Sequence, residues 1–142
     1  MTETNPKPIV TSLVSDDHEA PDPKQVQSWV AAYFSGTQSM NADQWYSAFA
    51  TDAIVDDPVG TPIKRTPDQI RAMGTGFLEP FDKIGLYESF VHVVGNEAVA
   101  RWQGRGVTKD GQEVKFDGIN LFTFNNDGKI TELRGFFSPP GS

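Results

Sequence analysis

A chain of 142 residues carrying 12 Lys+Arg against 19 Asp+Glu, net charge −7, has room for one compact domain and a tail, and it repels phosphate backbones and anionic lipid head groups. It has no cysteine, hence no disulfide or thiolate metal site, and its two histidines, His18 and His92, stand far apart without metal-ligand spacing. With no apolar run near the ~20 residues of a membrane span and no signal-peptide order at the N-terminus, the expectation is a cytoplasmic protein that binds neither nucleic acid nor membrane.

Residues 1–22 hold five acids, one lysine and three prolines and read as a flexible acidic N-terminal arm, leaving 23–142 as the folded domain. Asp22 as N-cap and Pro23 at the first helical position open a helix, with Val26, Trp29, Val30, Tyr33 and Phe34 along one stripe. After a break at Gly36, Asn41 and Gln44 form a capping pattern for a second helix with Trp45, Ala48 and Phe49 on its inner face. A short strand, 53–56, enters the turn Asp57-Pro58-Val59-Gly60, and Thr66-Pro67 starts a third helix with Ile70, Met73 and Phe77 inward.

From Leu86 the apolar period changes to two, and turn signals divide the remainder into strands at 86–94, 97–108, 112–124 and 129–137. Helices followed by a meander predict an α+β domain whose three helices pack in the concave face of a curved, mostly antiparallel sheet. Gly104, Gly106 and Gly118 inside the strands fit bulges or sharp bends. Such a bent sheet leaves room for a pocket under the helices.

Three polar groups interrupt the apolar pattern. Strict alternation puts Asn120 on one face with Val114, Phe116, Phe122 and Phe124, where an unpaired amide would cost ~2–7 kcal/mol, so it needs a core partner or a ligand. Tyr33 brings a hydroxyl into the stripe of the first helix; a backbone carbonyl is the common partner for a buried tyrosine. Asp57 alone reads as an ordinary turn residue capping backbone N–H groups. His92 reads as a plain strand residue, while Arg101, Arg105 and Lys115 form either an anion site or, more commonly, a solvated face paired with acids such as Glu88, Glu113 or Glu132. Asp56 points away from Asp57, because consecutive strand residues face opposite sides. No phosphate loop, dinucleotide fingerprint or serine-hydrolase elbow is present.

The stretch Asp52-Ala53-Ile54-Val55-Asp56-Asp57-Pro58-Val59-Gly60-Thr61-Pro62 resembles the segment around the general base of the Δ5-3-ketosteroid isomerases, members of the nuclear-transport-factor-2-like (NTF2-like), or SnoaL-like, superfamily. Tyr33 lies 24 residues before Asp57 and Asn120 lies 63 after it, offsets that match the two oxyanion-hole residues of those enzymes. The resemblance covers about residues 23–137 and implies a cone-shaped fold, with Asp57 as base and Tyr33 and Asn120 as oxyanion donors. It further implies no metal or organic cofactor, a hydrophobic steroid-like or terpenoid enone as substrate, and a homodimer formed through the outer sheet face.

Candidate substrate-binding aromatics are Phe34, Trp45, Phe77, Trp102, Phe116, Phe122 and Phe137. The chain departs from the family pattern at Asn120, where the isomerases have a carboxylic acid. It departs again at Phe49 and Gly74, where some members carry supporting tyrosines, so the network behind Tyr33 reads as thinner. An amide does not titrate, so the expected pH profile has an acidic limb from Asp57 and no alkaline limb from residue 120. The alternatives are a SnoaL-like polyketide cyclase or epoxide-opening enzyme, and a non-catalytic ligand-binding or dimerisation module.

Overall fold

Asp22 caps the first helix, α1 (Pro23–Thr37), its carboxylate accepting from the Lys24 backbone N–H at 2.9 Å. The computed structural model describes residues 21–138, so nearly all of the acidic arm, and the last four residues of the domain as drawn from the sequence, lie outside the described residues. Val26, Val30, Tyr33 and Phe34 are buried along α1, and Trp29 is half-buried. Gly36 does not end this helix, contrary to the sequence reading. It lies inside α1, where a Cβ would come within 3.2 Å of the Trp45 backbone, and the chain turns instead after Thr37, with Met40 at φ 57.

The second helix, α2 (Ala42–Tyr46), is a single short turn capped by Asn41, whose Oδ1 accepts from the Gln44 N–H at 3.0 Å. Phe49 is not on this helix as expected but opens strand β1 (Phe49–Asp56), which is longer than the predicted 53–56. The reason is a long-range pairing, since Phe49 lies opposite Ile130 and Val55 opposite Leu133 in a parallel ladder invisible to local periodicity. The third helix, α3 (Pro67–Leu78), starts as read, with Thr66 Oγ1 accepting from the Gln69 N–H at 3.2 Å.

Strands β2 (Phe81–Val94), β3 (Glu97–Thr108), β4 (Glu113–Phe124) and β5 (Ile130–Phe136) complete a five-stranded sheet in the order β1-β5-β4-β3-β2, antiparallel except for β1 with β5. Strand β2 begins at Phe81 rather than Leu86. Its register shifts between Phe81 and Lys83, and again between Glu88 and Phe90, and these interruptions hide the period of two.

The β3–β4 register, by contrast, runs unbroken, so Gly104, Gly106 and Gly118 are not bulges in it. Close approach explains two of them: a Cβ at Gly104 would lie 2.6 Å from the Phe116 ring, and one at Gly118 would lie 2.6 Å from the Trp102 ring.

The curved sheet holds the helices on its concave face, and the core lies between them, built from Val30, Phe34, Ala100, Phe122, Ile130 and Leu133. At the C-terminal end of α1, Thr37 Oγ1 accepts from the Leu86 N–H at 3.0 Å and tethers the helix to β2. Among the described residues, no helix is long and apolar enough to cross a membrane.

Candidate active site

Tyr33 comes from α1, Asp57 from the residue after β1, and Asn120 from the middle of β4, and all three line one pocket beneath the helices. The pocket contains about 570 Å³ of space, its open mouth included. Trp45, Phe77, Trp102, Phe116 and Phe137 also line it. Phe34 and Phe122 do not. They are fully buried behind the site, each presenting its ring to Tyr33 edge-on at 5.1 Å, and are core rather than wall. Met73, Leu86, Thr37 and Asn41 belong to the lining too; of these, only Met73, on an inward helix face, carried a burial signal in the apolar pattern.

Asp57 does not cap its turn. The turn is closed by Thr61, whose N–H and Oγ1 both bond the Pro58 carbonyl, while the Asp57 carboxyl is buried and its Oδ1 has no hydrogen-bond partner. Burial pushes this carboxyl up from 3.8 to about 6, with the Lys64 ammonium pulling it down and the Asp56 charge pushing it further up. Lys64 was not singled out by the sequence. It is fixed by two backbone hydrogen bonds to Val55, of 2.9 and 2.8 Å, and its Nζ donates to the Asp57 carbonyl at 3.2 Å. Asp56 points the other way, towards Arg134 at 3.4 Å.

The Tyr33 hydroxyl is held well above its ordinary value of 10, first by burial and then by the Asp57 charge, with the neighbouring polar side chains of Trp45 and Asn120 opposing. It therefore stays protonated, a donor, across the working range of pH. At Gly74 the space a larger side chain would take is filled by Trp45, whose indole ring lies 2.7 Å from where a Cβ would be.

Asn120 is 1% exposed; its Oδ1 accepts from Trp102 Nε1 at 3.0 Å and its Nδ2 has no partner. Opposite it in register is Gly135, another position the sequence did not flag. A Cβ at Gly135 would overlap Asp57 Oδ1 and lie 3.2 Å from Asn120 Oδ1, so carboxyl and carboxamide converge over one bare patch of backbone. The only available signal was a glycine in a short strand directly before Phe136 and Phe137.

The weaker candidates stay outside this pocket. His92 is exposed and stacks on Phe90 at 6.5 Å. Arg101 meets Asp117 at 3.7 Å, with both side chains largely exposed, an acid-paired outer face, and Arg105 bonds its neighbouring Gly104 carbonyl. Lys115 lies opposite Arg105 in the β3–β4 ladder, where two like charges would repel. Among the described residues no cluster of three His, Asp or Glu side chains has metal-binding geometry.

Residues 30–133 match the family model of the SnoaL-like domain. The chain belongs to the SnoaL-like family. Among solved structures, this SnoaL-like chain is similar to SalBIII, described as an epoxide hydrolase/cyclase-like enzyme in pyran ring formation in polyether salinomycin. The TM-score is 0.75 at 19% identity, covering 83% of this chain and 94% of that one. It is also similar to an NTF2-like protein of unknown function from Exiguobacterium sp. 255-15, with TM-score 0.65 at 19% identity, covering 78% of this chain and 98% of that one. At such identities the likeness is one of fold, the cone-shaped α+β architecture expected from the sequence. No curated protein matches the chain.

Proposed function

We propose that this SnoaL-like protein is an isomerase of the ketosteroid isomerase type, moving a carbon–carbon double bond next to a ketone in a hydrophobic, steroid-like or terpenoid enone. One observation carries the reading: a buried carboxylate oxygen and a buried amide N–H, both without partners, share an apolar pocket with a phenol that stays protonated. Unpaired buried polar atoms are costly, and a substrate held in the pocket would relieve that cost.

In this reading Asp57 takes the proton from the carbon between the carbonyl and the double bond. The electron pair left behind moves onto the carbonyl oxygen, giving a dienolate, and that oxygen accepts hydrogen bonds from the Tyr33 O–H and the Asn120 amide N–H. Asp57 then returns the same proton to the far end of the conjugated system, and the carbonyl re-forms with the double bond in conjugation. No electron leaves the substrate, so the step calls for no redox carrier. Apart from Asp57 the lining has no charged side chain, which suits a neutral, apolar substrate body.

The test is the ultraviolet appearance of a conjugated 4-ene-3-one from a 5-ene-3-one steroid. The expected result is turnover by the wild type, reduced by about 10²–10⁴ in Asp57→Asn and by about 10²–10³ in Tyr33→Phe. Turnover that survives Asp57→Asn unchanged removes Asp57 as the base.

A second reading draws on the Asp57 carboxyl itself, which near pH 6 is partly protonated. A protonated Asp57 beside a phenol would deliver its proton to an epoxide oxygen as the C–O bond breaks and water or a substrate hydroxyl attacks that carbon, the nucleophile's proton passing to the Asp57 carboxylate; SalBIII is described as epoxide hydrolase/cyclase-like. The two readings have opposite pH profiles, because a base gains as the pH rises through about 6 and an acid loses. A chain that binds apolar ligands in the pocket but turns over neither an enone nor an epoxide is instead a binding module. The assembly that accompanies the isomerase reading is a homodimer through the outer face of the sheet, supported by exposed apolar side chains there, Phe90, Val99, Ile119 and Phe136.

A further inference from the structure

A carboxamide is a poor replacement for a carboxylic acid at an oxyanion site unless something decides which way round it sits. A carboxylic acid can carry its proton on either oxygen. A carboxamide has one donor end and one acceptor end, similar in shape, and the wrong orientation turns a carbonyl oxygen towards the developing negative charge. In this chain the choice is made by a group that can only donate. The Trp102 indole N–H donates to Asn120 Oδ1 at 3.0 Å, with both side chains 1% exposed. A donor cannot accept from an NH₂ group, so the carbonyl end must face Trp102 and the Nδ2 end must face away from it, where it completes no hydrogen bond.

The β3–β4 ladder locks the pair. Ala100 lies opposite Asn120 and Trp102 lies opposite Gly118, so the indole stands on the inner face one diagonal step from the amide. The absent side chain at Gly118 leaves room for the indole, whose ring comes within 2.6 Å of where a Cβ would be, and Phe116 and Phe137 hold its ring at 5.6 and 5.4 Å.

We propose that Trp102 is a positioning residue that fixes the orientation of the Asn120 amide, so that its N–H bonds, not its carbonyl, point into the pocket at an oxyanion. The proposal rests on the reading of the pocket as an oxyanion site, and it predicts that the Trp102 N–H matters to oxyanion binding only while residue 120 is an amide.

The test uses 2-naphthol, whose ionised form is a stable aromatic oxyanion, and reads binding of the naphtholate by its fluorescence. Asp57→Asn serves as the background throughout, because residue 57 is then neutral, as it is once it has taken the proton. With Asn120 present, replacing Trp102 by Phe is expected to weaken naphtholate binding about 10- to 100-fold, the worth of a hydrogen bond to a charged group turned into a repulsion. With Asn120→Asp, whose acid orients itself, the same Trp102→Phe change is expected to cost no more than about threefold.

Should Trp102→Phe loosen the core, 3-benzothienylalanine at position 102 keeps the bicyclic shape of the indole and puts a sulfur that cannot donate in place of its N–H, and the same asymmetry is expected. Equal losses in both backgrounds would show that Trp102 acts by packing alone, and no loss in either would show that the amide is oriented without it; both overturn the proposal. Enone turnover is scored separately on chains that retain Asp57. Absent turnover with the asymmetry intact fails the isomerase reading and leaves the positioning role standing, while turnover without the asymmetry fails the positioning role alone.

Discussion

A buried carboxyl that titrates near 6 instead of 3.8 holds its proton in the folded chain where the unfolded chain has already lost it. Between those two values, folding stability falls as the pH rises, and above about 6 the whole cost of an ionised, desolvated Asp57 is present. That cost is up to ~3 kcal/mol, lessened by whatever water enters through the mouth. Asp57→Asn is therefore expected to be more stable than the wild type by roughly 1–3 kcal/mol at pH 7–8, several degrees in Tm, and no more stable below pH 4. Thermal unfolding of both proteins across pH 4–8 measures the difference, and equal Tm values at pH 8 would mean that Asp57 is not desolvated. At this scale the sequence was readable wherever a polar residue broke an apolar period, which is how Tyr33 and Asn120 stood out. Lys64 and Gly135 break no period: the one acts through a charge placed by a backbone bridge, the other through a side chain it does not have.

Helix starts were legible because a cap is a local chemical event. Asp22, Asn41 and Thr66 each accept from an N–H two or three residues on. Strand limits were not legible at β1, whose partner β5 lies some 80 residues away in the chain, nor at β2, whose bulges scramble the alternation. The joint between α1 and β2 shows how such elements fix the pocket. Thr37 Oγ1 donates to the Phe34 carbonyl at 2.6 Å and accepts from the Leu86 N–H at 3.0 Å, and both Thr37 and Leu86 line the pocket. Thr37→Val keeps the shape but strands the Leu86 N–H in a buried place. A loss of ~1–3 kcal/mol is expected, seen as a lower denaturant midpoint with an unchanged slope. A midpoint equal to that of the wild type would show that the hydroxyl contributes nothing to this joint.

On the scale of the whole molecule the sheet has two unlike faces. The concave face is filled by the helices and the pocket, while the outer face carries an apolar row that register alone assembles: Phe90 opposite Arg101, Arg101 opposite Ile119, and Ile119 opposite Phe136, with Val99 beside them opposite His92. Phe90 is 57% exposed, Ile119 43%, Phe136 40% and Val99 37%. Arg101 with Asp117, and Arg134 with Asp56, supply charges of both signs within and beside the row, an arrangement that can meet its own copy across a two-fold axis. If the homodimer forms there, Phe90→Lys with Val99→Lys brings four added cations to one interface while leaving the pocket side of β2 and β3 untouched. Sedimentation velocity at ~10–50 µM, a range suited to a standard interface, is then expected to give a dimer for the wild type and a monomer for the double variant, with 2-naphthol binding in the pocket preserved. A wild type that sediments as a monomer across that range removes the dimer. A double variant that stays dimeric places the interface on some other surface.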